Sequence, residues 1–550
     1  MGTKKHSQTV LEGAMILGAA AFLSKVIGLL YRIPMTNILG DIGNSYYSNA
    51  YDIYVVIITI SAVGLPAAIS KLVAERIAVK AYKEAHRVYK IALTYSTLVA
   101  MILAISMWLG ADIMSTLFFK SKDVALPIKA LAPTVVIVTM MAAMRGYFQG
   151  MRNMTPTAVS QIVEQIVNAL FSVILAYAFV NKGLVEAATG STVGTGIGAF
   201  AGFMIVLFVY YKMRHKIKKM MKSNQQHEHE TVQSILRKIL ITTIPIIIST
   251  SIFAIITALD ATMIYHILPN TIDRMRDENL LRTLPLYEAH RLSTQDIVNS
   301  LKGQYAGKYL PIINVPVALI LSLGMAATPT IAASMAVNDY KEVRKKTKMI
   351  LKVGMLIAAP AAVGLTFFAK YIIGFIFSKT PLGGELLAYG SIAVIFITLA
   401  QLTTGILQGM GKQHIPTIHS VIACVVKIIV NFILLKTTNL HIFSVIHSTT
   451  LCYCVYAVLN MLYLKKCIRI RYNLKVLVIK PMFSALLMGG ISFGIFKVLQ
   501  LVIRSNKICL LIVIPIAIIL YVSIGIITHT ITKKDLENIP GGNKLIKWLS

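Results

Sequence analysis

Apolar runs of about 18 to 25 residues recur along the whole chain, parted by short polar segments rich in Lys and Arg. Each run has the length needed to cross about 30 Å of hydrocarbon. Lipid offers no partner to a backbone N–H or C=O, so runs this long must be helices that satisfy their own hydrogen bonds. Read in order, they predict fourteen transmembrane helices near 10–33, 46–73, 88–110, 125–149, 156–180, 184–211, 236–266, 306–336, 349–370, 384–409, 414–436, 441–464, 476–499 and 507–530. With the N-terminus inside, Lys and Arg fall on the cytoplasmic side in roughly two-to-one excess, which sets both termini in the cytoplasm. The longest outer segment, 267–305, carries mixed charge and is expected to form a small amphipathic cap.

The polar pattern also repeats. VGLPAAISKLVAERIAVKAYKEAHRVYK (63–90) and GMAATPTIAASMAVNDYKEVRKKTK (324–348) each set a proline in an apolar span, then small residues, then Tyr-Lys-Glu and a basic run. RGYFQGMRNMTPTAVSQ (145–161) and TGILQGMGKQHIPTIHS (404–420) share Gln-Gly-Met at a cytoplasmic turn and a Pro-Thr that opens the next helix, where proline is tolerated. The copies lie about 260 residues apart, so helices 1–6 and 7–12 read as two six-helix halves with helices 13 and 14 added. The expected organisation is an N-lobe over 1–230 ending in a basic cytoplasmic loop, a C-lobe over 231–466 and a C-terminal segment over 467–550. Paired halves around a binding site are transporter architecture.

Composition strengthens this reading. Of 550 residues, 56% are hydrophobic and 14% charged, against roughly a quarter charged in soluble domains. The net charge of +32 does not indicate nucleic-acid binding, because the cations sit in clusters between apolar runs and form no single patch. The run from Val10 is too long for a cleaved signal peptide. Cys424, Cys452, Cys454, Cys467 and Cys509 lack metal-site spacing and read as packing residues.

Ionisable groups inside spans cost about 2.5–3.5 kcal/mol on insertion scales, so each is a functional candidate. Lys25 and Arg32 lie seven apart on helix 1, on one face. Arg145 ends helix 4, Lys308 stands at the mouth of helix 8 and Lys427 lies in helix 11. These five cations suit an anionic, phosphate-bearing substrate; the alternative for Arg32, Arg145 and Lys308 is snorkelling to the interface. Asp52, Glu164 and Asp260 supply a charge network or a site for a coupling ion. The glycines of GSTVGTGIGAFAG recur every four residues and serve close helix packing rather than nucleotide binding. His227-Glu-His229-Glu reads as an exposed polar loop rather than a metal site, and Lys212 to Lys222 as a contact for anionic headgroups. No catalytic triad or carboxylate pair stands out, and no cofactor or metal is expected.

LSKVIGLLYRIPMTNILG (23–40), VGLPAAISKLVAE (63–75), RGYFQGMRNMTPTAVSQIVEQ (145–165) and ALD (258–260) resemble the multidrug/oligosaccharidyl-lipid/polysaccharide flippase superfamily, most closely its MurJ and stage V sporulation protein B branch of Gram-positive bacteria. The resemblance spans essentially the whole chain. It implies two six-helix lobes about a cationic cavity, alternating access, and two extra helices that groove a lipid tail. It further implies a substrate, lipid II: the undecaprenyl-pyrophosphate-linked peptidoglycan precursor moved from inner to outer leaflet of the cell membrane. By that resemblance Lys25 stands where the family has a cavity arginine, Arg32 lies near another, and Lys308 is the nearest match in helix 8. Two of the three are lysine here, so bidentate pyrophosphate binding does not carry over. No nucleotide-binding motif is present, which leaves the membrane potential, Na⁺ or H⁺ as the energy source, and a monomer among membrane lipids is expected. The alternatives are a flippase for another polyprenyl-linked polysaccharide, a sporulation-specific copy, a drug/cation antiporter, or a membrane glycosyltransferase using Asp273, Asp277, Glu278, Glu288 and Asp296.

Overall fold

A computed structural model describes residues 10–222, 230–286 and 288–531. All regular structure among them is helical. The order is α1 (Val10–Leu30), α2 (Arg32–Ile58), α3 (Leu65–Ala78), α4 (Tyr82–Leu109), α5 (Ala111–Phe119), α6 (Ala125–Gly150), α7 (Thr155–Phe179), α8 (Leu184–Lys222) and α9 (Val232–Asp277). There follow α10 (Thr294–Gln304), α11 (Leu310–Ala336), α12 (Tyr340–Ile376), α13 (Gly384–Gly390), α14 (Ala393–Gly409), α15 (His414–Thr437), α16 (Phe443–Ile468), α17 (Lys480–Val502) and α18 (Asn506–Ile527). Among the described residues, eleven spans are long and apolar enough to cross a membrane, or twelve if α13 and α14, bent by 49°, form one. The two remaining predicted helices fall on α1, whose apolar part is Ile16–Leu30, and on α11. The protein is an all-α, multi-pass membrane protein.

Hydropathy located the spans but not the ends of the helices. The predicted helix 2 is α2 and α3 joined by π-helical Thr59–Val63, and α2 itself bends at Gly40. Gly40 has φ 65°, a conformation glycine adopts without the Cβ clash other residues meet, and its freed carbonyl accepts from Asn44 Nδ2 at 2.7 Å. Basic Lys212 to Lys222, read as loop, continue α8, because Lys and Arg are good helix formers that hydropathy ignores. The expected outer cap over 267–305 is likewise mostly helix: α9 runs on to Asp277 and α10 takes 294–304.

The chain divides into two units: residues to Asp273 together with Leu292–Gly307, and Arg274–Arg291 with the chain from Lys308 onward. The sequence repeat reappears inside each. In the first, α6 ends in a turn closed by Met151 N–H to Tyr147 O, Arg152 N–H to Gln149 O and Asn153 N–H to Phe148 O. In the second, α14 ends with Met410 N–H to Ile406 O, Gly411 N–H to Gln408 O and Lys412 N–H to Leu407 O. The left-handed position is Arg152 in one copy (φ 55°) and Gly411 in the other (φ 75°). Packing repeats as well. A Cβ on Gly146 would sit 2.8 Å from Pro66 Cα and one on Gly150 2.9 Å from Ser70 O, so α6 lies directly on α3. A Cβ on Gly405 would sit 2.6 Å from Gly324 O and one on Gly409 2.5 Å from Thr328 O, so α14 lies in the same way on α11. The glycine stripe of α8 does what its spacing predicts. Cβ atoms on Gly190 and Gly198 would meet Leu175 O at 2.8 Å and Glu164 O at 2.7 Å of α7, and Ser172 and Ser191 exchange hydroxyl-to-carbonyl bonds across the same seam.

Candidate functional site

Helix α2 carries GNSYYSNAYD (43–52), a polar run in the middle of a span, and most of it is buried. A buried polar group is costly unless it is hydrogen-bonded, so this run demands partners. It finds them on α9, on α10 and in the π-helical turn Tyr305–Tyr309 that leads into α11. Asn49 Nδ2 donates to Tyr265 Oη at 2.8 Å, and Tyr265 Oη donates to Asn299 Oδ1 at 2.9 Å. Thr36 Oγ1 reaches both Asn44 Oδ1 and Gly307 O at 3.4 Å. Close approach of α10 depends on Gly303, whose Cβ would strike the Asp41 backbone, and Gly307, whose Cβ would lie 2.9 Å from Asn44 Cγ.

That approach delivers the centre of the cluster. Lys302 Nζ donates to Asp52 Oδ2 at 2.9 Å, with the two side chains 3% and 14% exposed. Asp260, itself buried, and Arg32 are close enough to Asp52 for their charges to act on it. Arg32 donates to Ala306 O at 3.2 Å and lies 5.8 Å over the Tyr47 ring. Tyr51, stacked on Tyr47 at 5.9 Å, feels the charges of Arg32, Asp52 and Glu164. Glu164 accepts from Arg145 Nη2 at 2.8 Å, and Arg145 Nε donates to Ser160 Oγ at 2.9 Å. Arg32, Arg145, Asp52, Glu164 and Asp260 thus belong to one charge-balanced network in the first unit, completed by Lys302. Sequence reasoning did not single out Lys302, which fell within the expected amphipathic outer cap over 267–305. Lys25 stands apart: it is exposed on α1 and makes no hydrogen bond or ion pair among the described residues. The helix breaks at Tyr31 between it and Arg32, although Tyr31 N–H still reaches Ile27 O at 3.1 Å.

The other two candidate cations belong to the second unit. Lys308 is fully buried, and its ammonium donates to Thr380 O at 2.6 Å and Leu382 O at 3.0 Å, pinning the turn before α13. Lys427 is buried on α15, within electrostatic reach of Tyr453. Four of the five acids considered for glycosyl transfer have structural partners. Asp273 accepts from Thr294 Oγ1 at 2.6 Å, Glu278 from Asn439 Nδ2 at 3.2 Å and Glu288 from Arg291 at 2.9 Å. Asp296 exchanges hydrogen bonds with Ser293 in a box that caps α10. His227 and His229 lie outside the described residues; among those described, no three His, Cys, Asp or Glu side chains cluster to hold a metal. Cys424, Cys452 and Cys509 are buried, Cys454 and Cys467 half-buried, and none is bridged.

A second ion-pair cluster joins Arg76, in the last turn of α3, to Glu230 and Lys238, which lie outside the spans. Glu230 Oε1 accepts from buried Arg76 at 2.5 Å and Oε2 from Lys238 at 2.7 Å. Burial pushes the Glu230 carboxyl up, but the Lys238 ammonium and Arg76 guanidinium outweigh it and hold the group below its ordinary 4.5. A depressed carboxylate stabilises the fold above its unfolded value, and that stabilisation is lost as pH falls through the folded value. In an acid titration of the unfolding temperature, wild type is therefore expected to lead Glu230→Gln near neutrality and to lose that lead below about pH 4.5. Curves that coincide across the titration would show that the clasp contributes nothing.

Comparison with known proteins agrees with this architecture. Residues 10–335 match the polysaccharide biosynthesis protein family, and residues 306–433 match MatE. The chain is 26% identical over 446 residues to the lipid II flippase MurJ of Bacillus subtilis (strain 168), covering 78% of each. It is 31% identical to stage V sporulation protein B of the same organism over 211 residues, 38% of this chain and 40% of that one. Its fold superposes on a structure of lipid II flippase MurJ in an inward closed conformation with a TM-score of 0.64, at 15% identity, covering 93% of this chain and 98% of the other. With the sequence match running through both repeats' first elements and the helical fold in agreement, the chain belongs to the polysaccharide biosynthesis protein family and shares the fold of the multidrug/oligosaccharidyl-lipid/polysaccharide superfamily.

Proposed function

We propose that this protein is a flippase that carries lipid II, an undecaprenyl-pyrophosphate-linked peptidoglycan precursor, from the inner to the outer leaflet. The observation that carries the reading is the similarity to lipid II flippase MurJ along 78% of both chains. Physical reasoning supports it. A pyrophosphate with its sugars cannot enter hydrocarbon unaided, while the polyprenyl tail can stay in lipid, so the protein needs polar groups at membrane depth and no covalent chemistry. Lys25 and Arg32 supply cations for the pyrophosphate, and Asp52, Lys302, Arg145, Glu164 and Asp260 form the network that rearranges as access alternates. Both termini lie in the cytoplasm on the positive-inside pattern.

The buried pairs bear on the energy source. Asp52 and Glu164 are each neutralised by a cation within 2.9 Å, so Na⁺ or H⁺ binding at either has to break that pair first. The membrane potential acting on substrate and cavity charge needs no such step, at about 2.3 kcal/mol per charge per 100 mV.

Similarity to stage V sporulation protein B favours a second reading, a flippase used in sporulation or for another polyprenyl-linked glycan. Cells depleted of their own lipid II flippase discriminate the two. Rescue of growth, with outer-leaflet lipid II restored to cleavage by an externally added enzyme, supports lipid II. Good membrane expression without rescue moves the assignment to the second reading.

A further inference from the structure

A cavity of about 170 Å³ lies in the second unit between the first turns of α12 and the segment that joins α16 to α17. Its rim carries Lys348, Lys352 and Arg471; Met349, Leu351, Val476 and Leu477 form its apolar wall. Lys348 and Lys352 are four residues apart on α12 and therefore share a face. The linker is fixed against both helices: Arg344 Nη1 donates to Ile468 O at 3.3 Å, and Tyr472 Oη to Met461 O at 3.1 Å. The charge around the cavity is one-sided. Residues 341–352 hold six cations and one acid, and residues 465–480 hold six cations and no acid.

The cavity's position says what it meets. It lies where a spanning helix emerges from its basic extension, and Leu474 and Ile479, each 58% exposed, stand beside it facing outward. That is the level at which lipid phosphates lie above acyl chains. A soluble polyanion would use the cations but gain nothing from the apolar wall. The volume falls below the about 300–1,000 Å³ of drug-sized sites and suits a single headgroup. We infer that this cavity is a binding site for an anionic glycerophospholipid, its phosphodiester held by Lys348, Lys352 and Arg471 and its acyl chains leaving over Val476 and Leu477. It is distinct from the Lys302 network and does not depend on the identity of the transported substrate.

Native mass spectrometry of the full-length protein, titrated with phosphatidylglycerol or phosphatidylcholine, tests the site. Wild type is expected to retain a phosphatidylglycerol that phosphatidylcholine does not replace. The variant Lys348→Gln/Lys352→Gln/Arg471→Gln is expected to weaken that binding about a hundred-fold, with phosphatidylcholine binding unchanged. Lys348→Arg/Lys352→Arg, which keeps the charge, guards against a folding defect and is expected to retain the lipid. The off-cavity variant Lys341→Gln/Lys465→Gln/Lys466→Gln removes equal charge; an equal loss of lipid there would reduce the effect to diffuse electrostatics and overturn a built site. Displacement of the lipid by an equal concentration of inorganic phosphate would overturn the lipid assignment in favour of a free-phosphate site.

Discussion

Lys302→Ala is expected to cost about 3–5 kcal/mol of stability and to appear as a sharp fall in the temperature at which the detergent-solubilised protein aggregates. The cost comes from what the substitution leaves behind. Asp52 is 14% exposed, and its hydrogen bond from Lys302 Nζ is the direct compensation of its charge. Without the ammonium, the carboxylate remains at membrane depth beside buried Asp260. Attraction inside a low-dielectric site is large, but so is the penalty of removing both ions from water, and the two nearly cancel while the pair is intact. Hence the double variant Asp52→Asn/Lys302→Met is expected to recover most of the loss, and Asp52→Asn alone to be milder than Lys302→Ala. Equal damage from all three would show that shape around Gly303, rather than charge, governs this contact.

Lys302 also marks where reading the sequence stops. Every predicted span has a helix, because a 20-residue apolar run has no alternative in lipid. The repeat was legible because Gln-Gly-Met and the glycines before it are locally constrained: turn and helix crossing both need those residues at those places. Lys302 was not legible. Its partner lies 250 positions upstream, and its helix is polar enough to read as surface. Only the coincidence of Gly303 with an unusually polar α2 hinted that something buried had to answer Asp52. Lys308 teaches a related lesson. Its cost in a span is repaid by two backbone carbonyls, so an expensive residue can be a peg for a turn. The opposite case is Asp52 and Glu164, acids inside spans whose charges are answered by Lys302 and Arg145.

Lys25→Ala and Arg32→Ala are expected to abolish outer-leaflet delivery while leaving the amount of protein in the membrane unchanged. The two arguments differ. Lys25 is exposed on α1 and bonds nothing among the described residues, so the fold recovers none of the roughly 2.5–3.5 kcal/mol its insertion costs. Removing it is expected to leave stability level or improved, and any loss of transport then belongs to the substrate. Arg32 has five N–H donors, of which one goes to Ala306 O and another to the Tyr31 hydroxyl. Its planar fork, fixed over Tyr47, leaves donors for phosphate oxygens. Truncating one partner of such a charge-assisted contact costs about 2–5 kcal/mol, or about thirty-fold and upward in substrate affinity. Arg32→Lys keeps the charge but loses the fork, and an intermediate rate is expected. The measurement pairs cleavage of outer-leaflet lipid II by an added enzyme with quantitation of the protein in the same membranes. Normal delivery by both alanine variants at normal protein level would remove these cations from the substrate path and leave the buried network as a purely structural device.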